Sequence, residues 1–287
     1  MTVPDVLSPS TLTEALDLLR RHAGRARLIA GGTDLIPRLR LGENRPAVLI
    51  NLSRVSIPGL RREGDWIIVG AGMTHSALAR APEIRKHFPA LACCCQSIGG
   101  RPVRNRGTIG GNLANASPAA DTAPALLIYD AELRLLRSEG ERCIPISELF
   151  TGPGATVLRE DEMIVEVCLP LPRPRSGASF IKLGRRQSMA IAVVSVAARL
   201  TLDAADCAAE VRLAMGSVAP VPFRAATAEG LLLGAPLEEE RIRAAAAAAR
   251  EAASPISDLR ATASYRSRMV EVLARRALYL AWEAARV

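Results

Sequence analysis

Aromatic residues are scarce in this 287-residue chain: two Trp, three Tyr and four Phe amount to 3% of it. That scarcity removes the stacking platforms on which single-stranded nucleic acids are held. Lysine is nearly missing as well. Lys86 and Lys182 are the only two, so arginine carries almost all of the positive side of a net charge of +8. The arginines fall in scattered pairs (Arg20-Arg21, Arg61-Arg62, Arg185-Arg186, Arg275-Arg276) with no basic tail. Such a distribution suits charge-paired protein surfaces better than a nucleic-acid backbone, and no nucleic-acid partner is expected. No apolar run approaches the roughly 18 residues of a membrane span. Met1-Thr2-Val3-Pro4-Asp5 has neither the basic nor the apolar region of a secretory signal, so a soluble, cytoplasmic protein is expected.

Metal and catalytic signatures are thin too. The six cysteines, at 93, 94, 95, 143, 168 and 207, form no C-x-x-C pair. Three consecutive cysteines cannot all face one ion, so they read as small buried hydrophobes of a reducing compartment, and no metal site is expected. His22, His75 and His87 are isolated from one another; capping, surface or structural roles suit them, although His75 lies near a helix start where it can face a ligand. Neither G-x-S-x-G nor H-E-x-x-H occurs. Glu160-Asp161-Glu162 reads as a solvated acidic turn. No catalytic residue is assigned, and any redox chemistry must come from a cofactor.

What is present is 49% hydrophobic and 23% charged, long enough for about two domains. Capped at Ser10, the first amphipathic segment predicts a helix to Arg20. Strands are predicted over 26–30, 47–52 and 66–70, a helix capped by Thr74, and another over 84–97. The polar, Gly- and Asn-rich stretch 99–121 has little periodicity and reads as a long functional loop. Strands over 133–137, 144–145 and 163–169 lead to the proline-rich break at 170–177, and strands over 178–183, 191–200 and 211–218 follow. Two helices, 237–253 and 261–285, close the chain, the second with an apolar stripe of Tyr265, Met269, Val272, Leu273 and Leu280.

Two glycine pairs stand out. Leu28-Ile29-Ala30-Gly31-Gly32-Thr33-Asp34-Leu35 runs from strand through a Gly-Gly turn into a helix, and Thr108-Ile109-Gly110-Gly111-Asn112 repeats the theme. Successive amides without Cβ atoms can curl around an anion, and a helix start adds its positive end. The same pattern is also ordinary turn chemistry. Neither turn is a G-x-G-x-x-G fingerprint or a Walker loop, which disfavours nicotinamide-binding Rossmann domains and P-loop nucleotidases.

The block from Ile98-Gly99-Gly100 through Thr108-Ile109-Gly110-Gly111-Asn112 to Ser117 and Asp121 resembles the flavin-binding (medium) subunit of molybdenum hydroxylases, the xanthine dehydrogenase and carbon monoxide dehydrogenase family. Ala30-Gly31-Gly32-Thr33-Asp34, Thr151-Gly152-Pro153-Gly154, Asp161-Glu162-Met163-Ile164, Phe180 to Arg186 and Asp258 to Arg266 agree in collinear order. The resemblance implies an α+β chain. Residues 1–175 would form a two-subdomain FAD-binding fold of the vanillyl-alcohol-oxidase (PCMH) type, with subdomains of about 1–55 and 56–175. Residues 176–287 would form a C-terminal α+β domain with a small antiparallel sheet and helices.

It also implies FAD as cofactor. Leu28 to Leu35 would form one wall of the diphosphate site; Gly99 and Thr108 to Asn112 would form the other. Asp121 would bind a hydroxyl-bearing part of FAD, with Ser117 in the same loop. Met163 would abut the flavin through its backbone, and Lys182 would place a cation near the ring, raising its potential. Two departures stand beside these: Ala155 follows Gly-Pro-Gly where the family often has lysine, and Tyr129, Phe150 and Phe180 are equal candidates for a stacked aromatic. The implied partners are a molybdenum-cofactor large subunit, an iron–sulfur small subunit and an electron acceptor (NAD, a quinone or oxygen). A non-redox module holding some other phosphate ligand is the alternative, and it predicts a colourless chain.

Overall fold

The first element is a strand with no counterpart in the sequence reading. In the computed structural model, which describes residues 4–43 and 45–286, β1 (Asp5–Leu7) precedes helix α1 (Leu12–Arg21). The N-cap of α1 is Thr11, one residue later than expected: its Oγ accepts from the Glu14 amide at 3.1 Å, while the Glu14 carboxylate accepts from the Ser10 amide at 2.8 Å. This reciprocal pair satisfies amides that a helix start leaves free. After β2 (Ala26–Ile29), α2 (Leu35–Leu41) and β3 (Val48–Asn51), the strands assemble as a parallel sheet in the order β1-β3-β2. Leu16 and Leu19 of α1 close its core with Val48 and Ile50.

A hairpin of β4 (Leu60–Glu63) and β5 (Trp66–Gly70) opens the middle of the chain, followed by α3 (His75–Arg80), which Thr74 caps as expected. The segment read as one helix over 84–97 is two, α4 (Pro82–His87) and α5 (Pro89–Ser97). Pro89 supplies no amide to continue the first, and Phe88 leaves helical geometry at φ −131°. The expected loop over 99–121 is largely helical: α6 (Arg101–Arg106) and α7 (Ile109–Asn115) lie within it, and α8 (Thr122–Leu127) follows at once. Helices of six or seven residues show too few turns for an apolar period to emerge, and glycine weakens the helical signal further.

Next come β6 (Glu132–Arg137), β7 (Gly140–Pro145), the short pair β8 (Phe150–Gly152) and β9 (Ala155–Thr156), and β10 (Met163–Pro170). The long strands form an antiparallel sheet in the order β4-β5-β10-β6-β7. A bulge between Ile164 and Glu166 shifts the register of β10 against β6. Met163 and Val165 therefore face the N-terminal core, while Ile164, Val167 and Leu169 join the larger core under the helices. Glu162, read as part of a solvated turn, is buried instead and takes two hydrogen bonds from the Arg142 guanidinium at 2.8 Å.

The last part holds β11 (Ser176–Leu183), β12 (Val194–Leu202), β13 (Ala208–Gly216) and β14 (Phe223–Arg224), an antiparallel sheet in that order. Helices α9 (Ala226–Leu232), α10 (Glu239–Ala252) and α11 (Ala263–Ala285) cover it. The buried face of α11 is Arg266, Val270, Leu273, Ala274, Ala277, Leu278 and Ala281. Tyr265 and Leu280, expected in that stripe, are 41% and 48% exposed. The stripe tracks alanines that bring the helix close to the sheet, which a search for large side chains overlooks. Helices α5 and α8 pack on β11, β12 and β13, so one continuous body of side chains joins the middle and last sheets.

Candidate functional site

The two glycine turns meet. A Cβ placed on Gly31 would lie 2.0 Å from the Arg106 carbonyl oxygen and 3.0 Å from the Gly107 Cα, so only glycine lets the end of β2 touch the start of the second turn. Thr33 reaches the same seam, its Oγ facing Gly107. A third segment lies alongside: the Ile109 amide donates to Met73 O at 3.0 Å, the Gly110 amide to Ala71 O at 2.9 Å, and the His75 amide to Gly107 O at 3.0 Å. Residues 71–75 thus brace the second turn from behind, a role the sequence reading did not assign.

The turns differ in what they offer an anion. Around α7, Ile109 and Gly110 donate to that brace, Thr108 Oγ accepts from the Gly111 amide at 3.2 Å, and the Asn112 amide donates to Thr108 O at 3.0 Å. Every amide at the start of α7 is therefore engaged. The amides of Gly31, Gly32, Thr33 and Asp34 have no acceptor among the described residues. Of the two turns read as possible anion cradles, the first has amides without acceptors among the described residues, and the second offers shape. Asp34 is exposed and pairs with Arg38 at 3.2 Å, and Leu28, Ile29 and Leu35 are half-buried around the turn.

Asp121 and Lys182, 61 positions apart, form one buried ion pair at 2.5 Å. Lys182 also donates to Ser97 O at 3.1 Å, at the end of α5. Burial pushes the Asp121 carboxyl up from its ordinary value, against the opposing pull of Lys182 and of His75. Its second oxygen, Oδ1, is buried without a partner among the described residues, as are His75 Nδ1 and the hydroxyl of Ser195, which faces Lys182 across the β11–β12 pairing. A cofactor presenting hydroxyl or amide hydrogens to these atoms would satisfy them. The residues present therefore fit a phosphate-and-hydroxyl-bearing ligand.

The remaining candidates take secondary positions. Gly99, at φ +46°, turns the chain from α5 into α6 and is held by Arg104, whose guanidinium donates to Ile98 O and Gly99 O. Ser117 Oγ accepts from the Ala119 amide at 3.2 Å, shaping the loop before Asp121. Met163 buries its side chain in the N-terminal core, two residues before Val165, whose carbonyl accepts from Ala71 in the brace. Among the aromatics, Tyr129 packs edge-on against Phe88 at 5.0 Å, and all three candidates are committed to the core. Cys94 and Cys95 are buried as expected, whereas Cys93 and Cys143 are exposed. The described residues contain no cluster of ligand-type side chains that fits a metal ion.

Comparison with known proteins agrees with this geometry. Residues 2–172 match the FAD binding domain in molybdopterin dehydrogenase, and residues 179–281 match the CO dehydrogenase flavoprotein C-terminal domain. The xanthine dehydrogenase FAD-binding subunit of Escherichia coli O157:H7 is 32% identical over 280 residues, 96% of this chain and 95% of that one. The nicotine 6-hydroxylase medium subunit of Paenarthrobacter nicotinovorans is 34% identical over 276 residues, 94% of each chain. In three dimensions, a chain of carbon monoxide dehydrogenase from Hydrogenophaga pseudoflava superposes with a TM-score of 0.95 at 32% identity, covering 99% of both. A braced turn against an open one, a buried carboxylate with a free oxygen and end-to-end likeness lead to one conclusion: the chain belongs to the FAD-binding flavoprotein family of the molybdenum hydroxylases, an oxidoreductase component whose cofactor is FAD.

Proposed function

We propose that this chain is the electron-transfer subunit of a molybdenum hydroxylase complex. It takes electrons from an iron–sulfur subunit and passes them through FAD to NAD, a quinone or oxygen, while substrate is oxidised on a separate molybdenum-cofactor subunit. FAD exchanges electrons singly or in pairs, and so links a one-electron donor to a two-electron acceptor. The observation that carries the reading is the seam at Gly31 and Arg106, where a turn with unengaged amides touches a second turn braced by residues 71–75. In this reading the amides of residues 31–34 hold the diphosphate, with Leu28, Ile29, Ala30 and Leu35 shaping their wall. Gly99 and Thr108 to Asn112 supply the opposing surface. Asp121 Oδ1 accepts from a hydroxyl of the cofactor, Ser117 shapes the loop beside it, and Met163 lies against the ring system through its backbone. Lys182 contributes less positive field at the ring than a free cation would, because Asp121 neutralises it at 2.5 Å.

The matched ranges and the separate sheets support a division into a flavin domain, 1–175, split near residue 55, and a C-terminal domain, 176–287. Among the described residues no helix is long and apolar enough to cross a membrane. Six free cysteines fit the reducing cytoplasm. Anaerobic mixing tests the electron path. A dithionite-reduced iron–sulfur subunit, freed of excess reductant, is expected to bleach the flavin absorbance of this chain, and NAD, a quinone or oxygen is expected to restore it. A flavin that stays oxidised on contact with the reduced partner would overturn the assignment.

A further inference from the structure

Helix α5 has the flavin-site ion pair at its C-terminal end and a cavity at its other end, about 12 Å away at 1.5 Å per residue. The cavity measures about 330 Å³ and lies between α4, α5, the proline-rich segment 172–174 and the first strands of the C-terminal sheet. Lys86, His87, Tyr129, Arg173, Ser176 and Arg199 supply its polar lining. Lys86, one of the chain's two lysines, makes no ion pair among the described residues. His87 leans on Glu83 at 3.5 Å. Arg173 pairs with Glu210 at 3.2 Å, and Arg199 donates to Glu210 at 3.3 Å and to Asp130 at 3.1 Å. Asp130 is shared with Arg212 and Arg224, and Arg224 also pairs with Glu229, so the cations around this cavity outnumber the carboxylates.

Two buried donors here have nothing to donate to. Arg199 is 5% exposed, yet its Nε lacks an acceptor among the described residues. Tyr129 is fully buried; its hydroxyl oxygen accepts from the Ala90 amide at 3.2 Å, but the hydroxyl proton finds no acceptor among the described residues. Burial pushes the Tyr129 phenol up from its ordinary value, so it remains protonated at neutral pH. Buried donors without acceptors cost free energy, and an acceptor-rich anion relieves both at once. A planar carboxylate presents two oxygens in one plane. The lining donors come from a helix, a linker and a strand and not from one side of the cavity, which suits the tetrahedral oxygens of a phosphate group better.

We propose that this cavity is a second anion site, distinct from the flavin cradle, that binds a phosphate group. Its occupant bridges the helical layer and the C-terminal sheet, and so tightens their packing when bound. Because FAD fills the other phosphate-binding region, the test uses the full chain loaded with FAD. Inorganic phosphate is titrated calorimetrically at constant ionic strength, with chloride as the balancing ion and acetate as the carboxylate control. One saturable site per chain is expected, weakened at least tenfold in Lys86→Ala and in Tyr129→Phe, with flavin content unchanged in both variants. Lys86 is exposed, so its removal leaves the fold intact. A glycerol phosphate arm separates the sources: tighter binding than inorganic phosphate marks an ester as the occupant, and weaker binding marks free phosphate. No saturable heat, equal affinity in both variants, or acetate binding as tightly as phosphate would each overturn the proposal.

Discussion

At the scale of single residues, Gly31 is decided by its neighbours' backbone. The Arg106 carbonyl cannot rotate away as a side-chain tip can, so Gly31→Ala must part the two turns by more than an ångström. The variant is expected to fold, since the contact lies outside the core, and to purify with little flavin absorbance; full flavin content would contradict the seam. Asp121→Asn tests the ion pair. It removes the carboxylate that neutralises Lys182, so the flavin midpoint potential is expected to rise by potentiometric titration. Lys182→Met is harsher: it strands a buried carboxylate, a loss of about 3 kcal/mol or more in stability. Gly31 and Gly32 stand out in the sequence as a turn, and Asp121 and Lys182 enter through the family resemblance. Their division of labour was not legible there, because hydrogen-bond partners such as Met73 and Ala71 come from a segment with no motif of its own.

Among the elements, α7 depends on one side chain. Thr108 closes its first turn, and removing such a cap typically costs about 1 kcal/mol. Thr108→Val is expected to lower the unfolding free energy from a urea titration by that order and Thr108→Ser to restore it, since serine keeps the accepting oxygen for the Gly111 amide. Caps were the most readable local feature. Thr74 was identified as one from residue type and position, whereas α1 moved from Ser10 to Thr11 because the Glu14 carboxylate favours the later start. The short helices α6 and α7 escaped notice for a different reason: their stability comes from bracing by residues 71–75 and from packing, not from propensity. The strand β12 was visible as a largely apolar run because it is buried over its whole length, and β13 because most of it is.

For the whole molecule, the stretch Asp258 to Arg266 ties the C-terminal helices to the sheet. Arg266, fully buried in α11, donates to Ser217 O at 3.0 Å and to Asp258 at 2.5 Å, and Arg260 grips the same carboxylate. The Arg260 hydrogen bonds, helped by Arg266, hold the Asp258 carboxyl well below the usual carboxylate range despite some burial. The sign follows. Above the ordinary carboxylate pKa near about 4, Asp258 is ionised folded or unfolded and its contribution is complete; below it, the unfolded chain gains a proton that the folded one refuses, and stability falls. Asp258→Asn is therefore expected to lower the urea midpoint at pH 7 and to differ less from the native chain at pH 3. Sequence likeness marked this motif without distinguishing a structural tie from a cofactor contact. Only the buried guanidinium makes it a tie.

The unequal turns carry a consequence for how the flavoprotein is assembled. In the proposed site the amides of one jaw are locked into neighbouring carbonyl and hydroxyl oxygens, whereas those of residues 31–34 have no acceptor among the described residues. On that proposal, docking works against a fixed anvil, and flavin loading is expected to order the N-terminal turn while leaving the central helices as they are.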